Sequence, residues 1–182
     1  MDEINGFIRQ FEHYKGLGDK TINSLSFEEL QKEFAPDTNS IAVLVNHLSG
    51  NMLSRWTNFL TEDGEKNWRD RDGEFINVFT TKDELINSWN NGWNCFLSAL
   101  KSITDHDLEK IIYIRNEAHT ISEAINRQLS HYPYHIGQMV FLGKLIKGKQ
   151  WQSLSIPKGG SLQYNTQKFL ENKGKHRFKD NT

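Results

Sequence analysis

The stretch from Thr120 to Lys147 constrains the fold most, because it is the longest helix candidate in the chain. Its apolar residues recur at helical spacing and fall on one arc when placed at about 100° per residue. The arc consists of Ile121, Ile125, Tyr132, Ile136, Met139, Gly143 and Ile146. His131 and His135 lie at one edge of this arc, four residues apart. Side chains at that spacing stack on the same side of a helix, so the two imidazoles can bind one metal ion.

A pair of hydrogen-bonded core histidines is the alternative interpretation of this spacing. With 7 histidines in 182 residues, chance alone gives about 0.3 such pairs. The position beside a buried arc favours a site, because a buried polar ring without a partner is unfavourable. Pro133 lies between the two histidines and removes one backbone hydrogen bond from the helix. That local defect is easier to explain at a functional site than in scaffolding.

The composition predicts one domain spanning residues 1–182, with a reducing cytoplasm as its location. The 22 basic and 23 acidic residues leave a formal charge of −1, so the charge balance gives no indication of binding to nucleic acid or to an anionic membrane. The single cysteine, Cys95, excludes an internal disulfide, and its apolar surroundings predict a small buried hydrophobe. The N-terminal residues lack the pattern of a signal peptide, and the aliphatic run at 41–45 is too short for a membrane span.

The periodicity predicts four long helices, at residues 2–24, 38–60, 81–103 and 120–147. Ser26 and Glu29 form a capping-box pattern for a short helical turn. Residues 108–119 contain a β-prone run and a turn-like segment, which predict a small hairpin or an extended connection. Residues 166–182 are expected to form a mobile polar tail.

The connection at residues 61–80 is long and densely charged. Its acidic and basic residues alternate, so most are expected to be solvated or paired at the surface, where they stabilise little. Connections of this length are uncommon in a tight helical domain and are often functional. Its ligand spacing does not match a calcium-binding EF-hand loop.

His47 is the candidate third metal ligand. It lies in the predicted helix at 38–60, on a polar stripe beside the apolar arc: His47, Asn51, Ser54 and Asn58. Such a stripe can line an internal cavity or form wet surface, and periodicity leaves both open. Elimination supports His47, because His119 lies about 18 Å before His131 if the segment is helical. His106 falls in a predicted loop and His176 in the tail.

Three neutral nitrogen ligands leave an ion its full charge and an open coordination position, as in catalytic zinc sites. We expect zinc or nickel, with iron, cobalt or manganese as alternatives. Asn51 and Gln128 lie one turn from His47 and His131, where they can support a ligand, contact a substrate or be ordinary polar residues. No acidic residue lies one turn from a proposed ligand, so peptide hydrolysis is not expected. Activation of a thiol needs no such base.

Several sequence segments resemble those of the DinB/YfiT-like superfamily of metalloenzymes, and in particular those of a subgroup of unassigned function. They are NHLSGNMLSRW, EKNWRDRDGEF, HYPYHIGQ and LSIPKGGS, within a similarity that covers residues 1–165. The resemblance implies a four-helix bundle of up-down-down-up order, a divalent metal on His47, His131 and His135, and often a dimer. Other members of the superfamily are transferases of low-molecular-weight thiols such as bacillithiol or mycothiol.

The leading hypothesis is therefore a metal-dependent enzyme, a transferase acting between a small thiol and an electrophilic compound. Two alternatives remain open: a protein that binds a metal or small molecule without chemistry, and a stress-response interaction protein with the same fold. The expected partners are a small-molecule substrate or thiol cofactor and a second copy of the chain, with neither nucleic acid nor a membrane.

Overall fold

The computed structural model describes residues 3–173, and this part of the chain is mostly helical. Its helices are α1 (Glu3–Ser24), α2 (Phe27–Leu30), α3 (Ile41–Trp56), α4 (Lys82–Lys101), α5 (Ile121–Lys147) and α6 (Ser161–Leu170). Between α4 and α5 lie two antiparallel strands, β1 (Ile111–Ile114) and β2 (Glu117–Thr120). The predominantly helical class and the small hairpin agree with the sequence analysis.

The helix ends follow local capping chemistry. The side chains of Ser40 and Thr81 accept hydrogen bonds from backbone N–H groups in the first turns of α3 and α4. Thr120 and Glu123 form a capping box at the start of α5. The predicted helix at 38–60 was too long at both ends. Ser40 is the N-cap before the first residue of α3, Ile41, and Asn58 has a φ of 48°, in the left-handed region that a continuing helix cannot use.

Four long helices enclose one apolar core. Helix α3 packs against α4 and α5, and α1 packs against the same two helices. Buried rings from three helices meet in the middle: Phe11 and Phe96 are in edge contact at 4.5 Å, and Phe96 and Tyr132 at 5.2 Å. Tyr132 is the neighbour of His131 in sequence, so the core fixes the rotation of α5 about its axis.

A glycine allows α3 and α4 to approach closely. A Cβ atom on Gly92 of α4 would lie 2.8 Å from the Cα of Ser49 in α3. The Ser49 hydroxyl donates a hydrogen bond of 2.8 Å to the backbone oxygen of Ser88, one turn before that glycine. This contact fixes the position of the α3 segment that carries His47.

Cys95 is half-buried in α4 and packs at the margin of the core, so it is less enclosed than the predicted buried hydrophobe. Helix α6 was not predicted and has no buried residue. Residues 174–182 lie outside the described part of the chain, so the mobility of the tail at 166–182 and the single domain over 1–182 stay predictions. Within residues 3–173, no helix combines the length and apolar character needed to cross a bilayer.

Candidate metal centre

Three histidines from two helices converge at one point. His47 comes from α3, and His131 and His135 come from α5. One ring nitrogen from each lies within 4.8 Å of the others. The Nε2 atoms of His47 and His131 are 3.1 Å apart. His47 is only 4% exposed, so the polar stripe of α3 lines the interior at this residue rather than wet surface.

The other ring nitrogen of each histidine, Nδ1, lies against a side-chain oxygen. The pairs are His47 with Glu74 Oε2 at 3.0 Å, His131 with Gln128 Oε1 at 3.2 Å, and His135 with Gln138 Oε1 at 2.9 Å. An oxygen acceptor requires Nδ1 to carry a proton, and in a neutral ring this leaves Nε2 with a free lone pair. All three rings are thus held in the tautomer that offers Nε2 as a ligand.

The Glu74 carboxylate comes from the long connection between α3 and α4, at the 3-10 turn Gly73–Phe75. Arg69 donates two hydrogen bonds to this carboxylate, from Nε to Oε1 at 2.7 Å and from a terminal nitrogen to Oε2 at 2.9 Å. The two side chains are 2% and 6% exposed. The prediction that the charges of residues 61–80 stay solvated or paired at the surface is therefore wrong for this pair, because the connection folds back onto α3.

Glu74 could not be recognised from the sequence. The spacing of one helical turn identifies only carboxylates on the same helix as a ligand. Glu74 is 27 residues from His47 and reaches it through a loop. The available signal was the unusual length and charge of the connection, which marked it as functional without singling out one residue.

The environment keeps His131 and His135 neutral and the carboxylate of Glu74 ionised. Burial, reinforced by the neighbouring rings of His135 and His47, lowers the pKa of His131 to about 3. Burial also lowers the pKa of His135. For Glu74, burial would raise the pKa, but hydrogen bonds from His47 and Arg69 outweigh it and hold the pKa below its ordinary value. At neutral pH two of the rings are therefore deprotonated, as metal ligands must be.

The two residues predicted to support the site lie in different positions. Gln128 is buried and contacts His131 directly. Asn51 is buried too, but its side-chain oxygen accepts a hydrogen bond from the hydroxyl of Tyr132, 3.2 Å away. That hydroxyl accepts in turn from the indole N–H of Trp56. Whether Asn51 or Gln128 contacts a substrate stays a prediction.

Aromatic rings border the cluster. Phe75 stacks on His47 with ring centres 4.6 Å apart, and Tyr134 makes an edge contact with His135 at 4.9 Å. Gln138, whose side-chain oxygen contacts His135, also lines a cavity of about 280 Å³, although none of the three histidines does. A larger groove of about 650 Å³ lies elsewhere, beside Trp151, and contains none of the three histidines.

Other histidines of the described chain lie outside the cluster. His119 is on β2, opposite Ile112, rather than on a helix leading into α5. His106 lies in a 3-10 turn before the hairpin. His176 is outside the described residues.

The comparisons with known proteins give a family without an assigned activity. No curated protein and no solved structure matches the chain. The family described as "Protein of unknown function (DUF1572)" matches residues 2–160, which is most of the chain. This protein therefore belongs to the DUF1572 family.

Proposed function

We propose that His47, His131 and His135 bind one divalent metal ion and that the protein is a metal-dependent enzyme. The observation that carries the proposal is the pairing of each Nδ1 with an oxygen atom, while the Nε2 atoms of His47 and His131 face each other and one nitrogen of each of the three rings lies within 4.8 Å of the others. Lone pairs at 3.1 Å repel unless a proton or a cation lies between them. A metal ion resolves that repulsion.

The donor set fits zinc or nickel. Two nitrogens on a tetrahedral zinc ion are about 3.3 Å apart when each bond is about 2.0–2.1 Å, and the Nε2 atoms of His47 and His131 are 3.1 Å apart. Imidazole ligands suit nickel, iron and cobalt as well, and manganese less well. Bound there, such an ion would lower the pKa of a coordinated thiol or water and polarise a carbonyl group.

For the reaction class we propose transfer of a low-molecular-weight thiol to an electrophile. Within residues 3–173, the carboxylate hydrogen-bonded to the cluster is Glu74, and His47 and Arg69 already occupy both of its oxygens. It is therefore poorly placed to take a proton from water as peptide hydrolysis requires. A thiol needs no added base once it is coordinated. The resemblance to the DinB/YfiT-like superfamily supports this reaction class. On the same resemblance we also propose an up-down-down-up order for the four long helices.

The partners that fit are small. The cavity beside Gln138, at about 280 Å³, suits a compact molecule. A homodimer is part of the proposal on the strength of the resemblance, and sedimentation of the purified protein tests it. Neither a nucleic acid nor a membrane is proposed as a partner, since the formal charge is −1.

The test is turnover of a model electrophile, such as an aryl halide, by the metal-loaded protein with a panel of small thiols. We expect a rate above that of the His47→Ala variant for at least one thiol and metal. Equal rates for both proteins across the panel would contradict the catalytic proposal. Tight metal or thiol binding without turnover would instead favour a binding protein.

A further inference from the structure

We infer that Glu74 is a positioning residue that aims the Nε2 of His47 at the metal and couples the connection between α3 and α4 to metal binding. The inference rests on the proposed metal site and adds a residue from outside the ligand helices. Its basis is the 3.0 Å contact between Glu74 Oε2 and His47 Nδ1, in which both side chains are almost fully buried.

The carboxylate of Glu74 lies directly against α3 at Gly50. Gly50 lies three residues after His47, on the same side of the helix. A Cβ atom on Gly50 would lie 2.5 Å from Glu74 Oε1 and 2.8 Å from Glu74 Cδ. Any larger residue would push the carboxylate away from His47. The contact therefore depends on a glycine at this position.

The carboxylate of Glu74 is ionised. Arg69 binds both carboxylate oxygens, at 2.7 and 2.9 Å. An ionised carboxylate can only accept hydrogen bonds, so the Nδ1 of His47 must be the donor. A buried charge requires such a partner, and Arg69 supplies it in the two-point geometry that matches a carboxylate. The tautomer of His47 is thus set by a buried ion pair.

The connection between α3 and α4 is attached both to α3 and to the hairpin. The side-chain amide of Asn46, the residue before His47, donates to the backbone oxygens of Gly73, Glu74 and Ile76 at 3.1–3.2 Å. At the other end, Glu65 accepts from Arg69 at 3.0 Å and from Arg55 at 2.7 Å. The backbone N–H of Gly64 also donates to Tyr113 of β1 at 2.8 Å.

The consequence is that the order of this connection and the affinity of the metal site depend on each other. A metal that binds Nε2 strengthens the hydrogen bond at Nδ1, because the coordinated ring becomes a better donor. Conversely, loss of Glu74 frees the ring to rotate and to adopt the other tautomer. Removing such an outer hydrogen-bond partner weakens metal binding by about 10- to 100-fold in other sites.

The experiment compares zinc affinity, measured by chelator competition, among matched variants of the full chain. Glu74→Gln removes the charge, and Gly50→Ala displaces the carboxylate without changing any ionisable group. Glu62→Gln is the control, because Glu62 lies in the same connection but pairs with Lys66 rather than with Arg69, Glu74 or His47. We expect the first two variants to bind zinc at least about 10-fold more weakly than the natural sequence does. The zinc affinity of the control should lie within about threefold of that of the natural sequence.

A second readout is the tautomer of His47 in the metal-free protein, read from its ring ¹⁵N shifts. The natural sequence should show the proton on Nδ1, and Glu74→Gln and Gly50→Ala should show a tautomer mixture. Natural affinity and an unchanged tautomer in both variants would overturn the inference, as would an equal loss in Glu62→Gln. If the natural chain binds zinc no better than His131→Ala does, the proposed metal site fails and the inference fails with it.

Discussion

The Nε2 atoms of His47 and His131 lie 3.1 Å apart, although each ring uses its other nitrogen to donate a hydrogen bond to a side-chain oxygen. When both rings are neutral, neither Nε2 carries the proton that a hydrogen bond between the rings would need. Holding two lone pairs face to face inside a protein is unfavourable unless a cation joins them. This relationship favours a metal centre over an ordinary pair of hydrogen-bonded core histidines.

Metal should stabilise the fold through this cluster. A ligand that binds only the native state adds about 2.7 kcal/mol when its free concentration is 100 times Kd. For a domain of this size that corresponds to a rise in Tm of about 5–10 °C. We expect this rise with zinc or nickel in thermal unfolding of the natural sequence, and none in His131→Ala. An equal rise in both proteins would place the metal elsewhere.

The metal-free protein should lose stability as the pH falls below about 6.5. The folded pKa of His131 is about 3, below its ordinary value of 6.5. Between these values the unfolded chain binds a proton that the folded chain does not, so unfolding becomes more favourable as the pH is lowered. We expect the free energy of unfolding to fall by up to about 1 kcal/mol per pH unit, allowing for partial solvent screening.

Urea unfolding between pH 6.5 and 4.5 measures this slope. His131→Gln should make it shallower, because the group responsible is gone. The control is His106→Gln, which removes an exposed histidine from a 3-10 turn and should leave the slope unchanged. A slope that is the same in all three proteins would contradict the buried, neutral state of His131.

Two glycine substitutions should change the free energy of unfolding in opposite directions. Gly92→Ala would bring a Cβ atom to 2.8 Å from the Ser49 backbone, forcing α3 and α4 apart at an expected loss of about 1–3 kcal/mol. Gly16→Ala meets nothing within 4 Å in helix α1 and should stabilise by about 0.5–1 kcal/mol. Chemical denaturation of both variants checks the pair. A neutral Gly92→Ala would show that the two helices are less closely packed.

The hydroxyl of Tyr132 should support the core below the cluster. It accepts from Trp56 and donates to Asn51, both at 3.2 Å, so Tyr132→Phe leaves two buried polar groups without this partner. We expect a loss of about 1–3 kcal/mol in unfolding free energy. The matched control is Tyr113→Phe on the hairpin, where the side chain is exposed and little change is expected. Equal effects would contradict a structural role for the Tyr132 hydroxyl.

The sequence was sufficient for the two histidines of α5 because their relationship is local. A spacing of four residues and the edge of an apolar arc fix their shared direction before any tertiary contact is known. His47 required elimination, since its polar stripe had two interpretations and only the packing of α3 on α5 selects the buried one.

Glu74 and α6 could not be predicted for different physical reasons. The position of Glu74 depends on the path of a connection whose contacts are with Gly50 and Asn46 on another element. Those two residues look ordinary until the connection is seen to lie on them. Helix α6 buries no residue, so the apolar spacing that reveals a packed helix is weak there.

The most direct test of the metal centre is elemental analysis of the protein, purified without a histidine tag and loaded with zinc or nickel, beside His47→Ala and His131→Ala. The account predicts about one tightly held ion per natural chain and a loss of that ion in each variant. A natural chain that retains no ion after loading would contradict the account, and so would variants that retain as much metal as the natural chain.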